Sequence, residues 1–225
     1  MAVIRPFKAL RYNLGLIGDL GKVITPPYDV IDADEQERLH QKSHYNIVRL
    51  EYGKTYPGDN YSDNRYTRAA DTLQKWLEKK ILIPDRLSAY YIYEQSYTYK
   101  QKKYRRRGIM AALKLEPYGE KVILPHELTM SGPKKDRLEL LRRIQANVSP
   151  IFTLFPDPED RMEELIAEAI KTGPICEAVE ESGQSHRLWA FSDPNGQDIP
   201  GACLAGQPLL IADGHHRYET ALLNV

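Results

Sequence analysis

The chain has 225 residues, its 31 Lys and Arg are balanced by 31 Asp and Glu, and it carries two cysteines. That length is enough for a substantial core in one large domain or two small ones, and the balanced charge excludes a global field that would attract nucleic acid or a membrane surface. Cys176 and Cys203 alone exclude a disulfide framework, no segment is apolar enough to span a bilayer, and the N-terminal MAVIRPFKALRYN lacks the apolar core of a signal peptide, so a cytoplasmic protein without a membrane partner is expected.

In chain order, Ile24 to Asp29 reads as a rigid extended segment, because each of its two prolines fixes its own φ and restricts the residue before it. Tyr45 to Tyr52 alternates as a strand does, and Tyr56 to Asn60 is a loop. The spacing of Ala69, Leu73, Trp76 and Leu77 predicts a helix over 62–80. Ala89 to Tyr99 and Tyr104 to Pro117 make a long antiparallel hairpin across a lysine-rich connection. Asp136 to Ala146 is an amphipathic helix built on Leu138, Leu141 and Ile144, and Ile151 to Phe155 is a strand. Asp157-Pro158-Glu159 opens a helix to Lys171 as N-cap, N1 proline and acidic first turn. Cys176 to Glu180 and His186 to Phe191 pair around Ser182-Gly183, and Asp193 to Gly196 is a turn.

Two constellations carry chemistry. Pro208 to Ala212 is a short buried strand that passes through Asp213-Gly214 into a helix, with His215, His216 and Arg217 at the junction. Free backbone N–H groups and the helix dipole make such a junction a phosphate site. Arg217 can add bidentate hydrogen bonds, Asp213 can hold a divalent metal, and Gly214 permits close backbone approach. Successive residues entering a helix point about 100° apart, so one histidine is expected to contact phosphate and the other to brace the loop. The second constellation is Pro125-His126-Glu127-Leu128-Thr129, followed by a Gly-Pro loop with Lys134, Lys135 and Arg137. Glu127 is a candidate general base, with Lys134 and Arg137 neutralising phosphate oxygens. The blander reading is a loop in which Asp136 caps the next helix and the lysines are solvated. A basic run from Lys100 to Arg107 sits on the hairpin, where such residues commonly protect a sheet edge, and nucleic acid is not an expected partner.

ADGHHRYETAL, with PHELT, GPKKDRLELL, NVSPIF and TPPYDVID in the same order, resembles a large family catalogued as domain of unknown function 1015, of which this chain corresponds to the N-terminal half or so. Asp213 to Arg217 is also similar to the phosphate-binding signature of the free serine kinases of the ParB/sulfiredoxin superfamily, which carry a Pro-His-Glu upstream. That resemblance implies an α+β fold, a mixed sheet with flanking helices around a ParB/sulfiredoxin-like nucleotide-binding core, as one domain over 1–225 with an insertion around 136–207. It implies a kinase acting on the hydroxyl of free serine or a similar metabolite, with ATP or ADP as donor and Mg²⁺ as cofactor. Glu127 would be the base beside His126, Asp213 the metal ligand, and Gly214, His215, His216 and Arg217 the phosphate holders, joined by Lys134 and Arg137. Tyr28 and Asp29 would line the site. The alternative is a ParB-like nucleotide-binding regulatory module without catalysis. Sulfinate chemistry is not expected, because sulfiredoxins need a cysteine where this chain has His215.

Overall fold

The computed structural model describes residues 1–192 and 198–224. The first third of the chain forms β1 (Ile4–Arg5), β2 (Leu10–Tyr12), α1 (Leu14–Ile17), α2 (Ala33–Lys42), α3 (Val48–Glu51), α4 (Arg65–Glu78) and β3 (Leu82–Pro84). The middle supplies β4 (Tyr90–Tyr99), β5 (Lys102–Met110), β6 (Ala112–Leu113), β7 (Ile123–Leu124) and α5 (Ser131–Ile144). The last third gives β8 (Phe152–Leu154), α6 (Arg161–Ala169), β9 (Cys176–Val179), β10 (Ser185–Phe191), α7 (Ile199–Cys203), β11 (Leu209–Asp213) and α8 (His215–Leu222). The result is a mixed α+β chain with several small sheets. It divides into two compact units: Met1–Ala9, Pro84–Leu128 and Ile151–His215 in the first, and Leu10–Ile83, Thr129–Pro150 and His216–Val225 in the second. Among the described residues, no helix is long and apolar enough to cross a membrane.

The first unit is built on sheets. Its larger one is antiparallel throughout, in the order β5-β4-β10-β9. The expected hairpin is β4 and β5, in register from Tyr91 opposite Met110 to Tyr99 opposite Lys102. Lys100 and Gln101 close it with φ of 46° and 62°, the left-handed pair that suits the twist of a two-residue hairpin. On one face Ile92 is fully buried opposite Trp189, and α6 lies against β5 and β10 with Met162, Leu165 and Ile166 buried. Glu94 shares that face at 3% exposure, with Arg107 Nε 2.7 Å away. The residues from Lys102 to Arg106 are all exposed on the outer strand.

The smaller sheet, β7-β11-β8, positions the site. β11 runs parallel to β7, with Leu209 opposite Ile123, and antiparallel to β8. Ile123, Leu209 and Ile211 are buried in alternation with the more exposed Leu210. The β11–β8 ladder is irregular between Ile211 and Asp213. Asp213 shares the parity of Leu209 and Ile211 yet is exposed, as a local bulge allows.

The second unit is helical. Leu50, Ala69, Leu73, Trp76, Ile81, Leu82, Leu140 and Ile144 form its core. Asn64 starts α4 with a full capping box, its side chain accepting from Tyr66 and Thr67 N–H while Thr67 Oγ1 accepts from Asn64 N–H.

Four sequence expectations are corrected. Tyr45 to Tyr52 is not a strand: its centre is the single helical turn α3. Asn46, fully buried, accepts from Val48 N–H and donates to the carbonyls of Lys22 and Ile24, while Val48 and Leu50 are both buried, so the apparent alternation marked no solvent face. The second correction is α5, which begins at Ser131 rather than Asp136, because a proline in the first turn lacks only an N–H that would have had no helical partner. Its buried face runs through Arg137, Leu140 and Ile144, not Leu138 and Leu141. Asp136 is consequently inside the helix and does not cap it. Third, α6 begins at Arg161, although Asp157 still caps it from a distance by accepting from Met162 and Glu163 N–H. Fourth, the extended segment ends in a 3-10 turn at Tyr28–Val30. The turn expected at Asp193 to Gly196 lies outside the described residues.

Asn46→Ala strips partners from three backbone groups around α3. Leaving buried groups unsatisfied costs about 1–3 kcal/mol each before relaxation, so a loss of about 2–4 kcal/mol in urea unfolding is expected. A loss below about 0.5 kcal/mol, the range of an ordinary surface substitution, would show that the side chain does not organise this turn.

Candidate functional site at the strand-to-helix turn

β11 ends at Asp213, Gly214 turns the chain at φ 95°, and α8 begins at His215. In the first unit this turn meets the Pro-His-Glu segment that follows β7. His215 is only 1% exposed, and its Nε2 accepts the backbone N–H of His126 at 3.2 Å across 89 residues of sequence. An Nε2 that accepts leaves the proton of a neutral imidazole on Nδ1. Glu127 Oε1 stands 3.0 Å from that Nδ1, close enough for a strong electrostatic contact although not in line for a well-directed hydrogen bond. Glu127 itself is 51% exposed, so its carboxylate meets both the buried ring and solvent.

His126 is fixed in a complementary way. Its Nδ1 lies 2.7 Å from the Ile211 carbonyl, which can only accept, so Nδ1 carries the proton and Nε2 keeps a lone pair. Its ring meets that of His215 edge to face at 4.5 Å between centroids.

His126, Glu127 and His215 are also the one group of three metal-ligating side chains gathered among the described residues, with ligand atoms within 4.8 Å of one another. Two imidazoles and a carboxylate suit a transition metal rather than Mg²⁺, which prefers oxygen ligands. The tautomers oppose even that. A metal on His215 Nδ1 would drive the proton to Nε2, where it would face the His126 N–H. Asp213, the expected Mg²⁺ ligand, is exposed at the end of β11 and stands outside this group. One carboxylate fits Mg²⁺ only where substrate phosphates and waters complete the shell.

In the second unit, α8 continues with His216 and Arg217. His216 Nε2 accepts the backbone N–H of Met130 at 3.0 Å, so this ring too braces the loop before α5. Arg217 donates to the Pro150 carbonyl. Lys134 Nζ reaches Glu219 Oε2 at 3.0 Å, and Thr129 Oγ1 donates to the same oxygen. Arg137 is 6% exposed and heavily engaged: it donates to Glu51 O and Oε1 and to Asp136 Oδ2, and its guanidinium lies 4.0 Å from the centre of the Tyr28 ring. Asp136 is further held by Arg65 and by the Tyr66 hydroxyl. Burial pushes the Tyr28 hydroxyl up, opposed by the positive charges of Arg137 and Arg217, and Asp29 is exposed beside it.

Several expected residues therefore have settled places. His126, Glu127 and His215 come together in the first unit, and Tyr28 comes together with Arg137 in the second. Arg137 is a buried cation whose guanidinium donates to Glu51 and Asp136 and lies against the Tyr28 ring. Sequence reading missed Glu219, Thr129 and the carbonyls of Ile211 and Pro150. Glu219 had a signal, since it lies one helical turn beyond His215 and His216. The backbone acceptors had none.

Burial, the largest single influence on Glu219, works to raise its pKa, but the Thr129 and Lys134 hydrogen bonds and the charges of Lys134 and His216 outweigh it and hold the carboxyl below its usual value. A depressed carboxylate contributes stability above its unfolded pKa of about 4.3 and loses it as the pH falls through the folded value. Glu219→Gln is therefore expected to cost about 1 kcal/mol at neutral pH and nothing once the carboxyl is protonated, a window readable from urea melts at several pH values. A cost independent of pH would contradict the pairing.

No curated protein and no solved structure matches the chain. The family model Protein of unknown function (DUF1015) matches residues 4–224, almost the whole sequence. The chain belongs to the DUF1015 family.

Proposed function

We propose that this chain binds nucleotide phosphates at the Asp213–Arg217 turn and transfers a phosphoryl group to the hydroxyl of a small metabolite, free serine or a molecule like it. The observation that carries the proposal is the Glu127 carboxylate, half exposed and 3.0 Å from the buried His215. A nucleotide binder needs the phosphate turn but no base, whereas a kinase needs a carboxylate held beside that turn. The strand β11, with a parallel neighbour on one side and an antiparallel one on the other and running through Gly214 into a helix, supports a ParB/sulfiredoxin-like core.

The chemistry follows from these groups. Glu127 accepts the proton of the substrate hydroxyl as its oxygen attacks the terminal phosphorus. The bond from that phosphorus to the bridging oxygen breaks, and the shortened nucleotide leaves. General-base help of this kind contributes around 10² to 10⁴-fold. The positive charge needed on the phosphates comes from Arg217 and from the backbone N–H groups at the start of α8, where the helix dipole adds to them. Both histidines are loop braces in this scheme: His215 fixes His126 and the carboxylate, and His216 fixes Met130. Arg137 positions Tyr28 and contacts no phosphate. Mg²⁺ bound at Asp213 together with the phosphates would supply charge neutralisation.

The test is incubation of the protein with ATP or ADP, Mg²⁺ and pooled amino acids, followed by phosphorus NMR. A new phosphate monoester signal is expected, falling by about 10² to 10⁴-fold in Glu127→Gln. Nucleotide binding that is equal in both proteins, with product in neither, would replace this reading with a regulatory nucleotide-binding module.

A further inference from the structure

The helical unit carries a second concentration of positive charge, well separated in sequence from the motifs above. Thr72, Lys75, Trp76 and Lys79 fall on one face of α4 and its C-terminal end, at helical spacing. Together with His44 and Arg49 they line an open cavity of about 220 Å³, and Tyr45 completes its wall. No carboxylate among the described residues lines it. Tyr45 packs edge-on against Trp76 at 6.1 Å, giving the cavity a rigid aromatic floor.

The charge there has no counterion among the described residues. Arg49 NH1 and NH2 are turned to His40, meeting Nδ1 at 3.0 Å and the carbonyl oxygen at 2.8 Å. Its Nε is buried without a hydrogen-bond partner among the described residues. Burial, with nothing but the Tyr56 hydroxyl acting against it, pulls the Arg49 guanidinium below its usual value. Lys75 and Lys79 are exposed and make no ion pair with any described residue. Burial and then the charges of Arg49 and Lys54 push His40 down to about 4, so at neutral pH its ring is uncharged and is no counterion for Arg49. Arg49 is partly withdrawn from water, and a guanidinium so placed with no anion among the described residues is unfavourable.

We propose that this cavity is an anion site for a compact dianion, a phosphate group, seated between Arg49 and the two lysines, while the Thr72 hydroxyl in its wall donates to the Arg68 carbonyl at 2.7 Å. Its volume admits a phosphate and little more than a small substituent, below the range of drug-sized pockets. The competing explanation is structural: lysines near a helix C-terminus offset its dipole, and Arg49 ties down the last turn of α2. The proposal does not depend on the kinase reading, because none of these residues belongs to the Pro-His-Glu or Asp-Gly-His-His-Arg segments.

Amide-resolved NMR on the whole chain separates the two explanations, with inorganic phosphate and glycerol phosphate as probes and chloride at matched ionic strength as the control. Saturable shifts are expected at Thr72, Lys75, Trp76 and Lys79 and at the Trp76 indole N–H with both phosphates, and not with chloride. Similar or tighter binding of the ester would point to a phosphorylated metabolite, and preference for the free ion to phosphate itself. Lys75→Gln with Lys79→Gln, both on exposed side chains, should weaken the effect by about tenfold, or about 1.4 kcal/mol, without changing the fold. Shifts that are unsaturable, equal with chloride, unchanged in the double variant, or confined to Asp213–Arg217 would overturn the proposal.

Discussion

A buried imidazole has two nitrogens and one proton to place, and both nitrogens of His215 meet groups from a single distant segment, one through a hydrogen bond and the other through an electrostatic contact. Its Nε2 takes the His126 backbone N–H and its Nδ1 faces the Glu127 carboxylate. That pairing fixes the tautomer, sets the position of the candidate base, and opposes a metal on the same ring. It also explains why β7 and β11 lie side by side in parallel, since the segment after one must meet the turn after the other.

The positive charges beyond this turn divide into committed and uncommitted groups. Arg137 looks like a phosphate ligand in sequence, yet Glu51 and Asp136 neutralise it inside the helical unit and Tyr28 covers it. Burying an arginine without those acceptors would be strongly unfavourable, so the three residues act together. Lys134 is tied to Glu219. Arg217 donates to the Pro150 carbonyl. Arg49, Lys75 and Lys79 are the counterpart: cations with no ion-pair partner among the described residues. A protein with zero formal net charge thus has marked local imbalances, and the imbalances rather than the total mark its candidate sites.

Elements whose periodicity reflected one buried face were legible in the sequence. α4 shows this with Ala69, Leu73 and Trp76, and the β4–β5 hairpin with its polar tip. The segment Tyr45 to Tyr52 was not, because a buried asparagine feeding three backbone groups looks like any polar residue in an alternating run. The start of α5 was hidden by Ser-Gly-Pro, residues that signal a loop but are tolerated in a first helical turn. At the site, the motifs indicated which residues carry chemistry. They did not divide the labour between the two histidines, because that depends on backbone donors at His126 and Met130 that carry no sequence signature.

The most direct test of the account is the protonation pattern of the histidine rings, read by long-range proton–nitrogen NMR on the nucleotide-free protein. The account predicts that His215 and His126 are both held as the Nδ1–H tautomer, with His215 Nε2 showing the shift of an acceptor. It further predicts that Glu127→Gln perturbs His215 Nδ1 more than any other histidine nitrogen. A His215 ring protonated on Nε2, or averaging between tautomers as a free imidazole does, would contradict the claim that this residue locks the candidate base beside the phosphate turn.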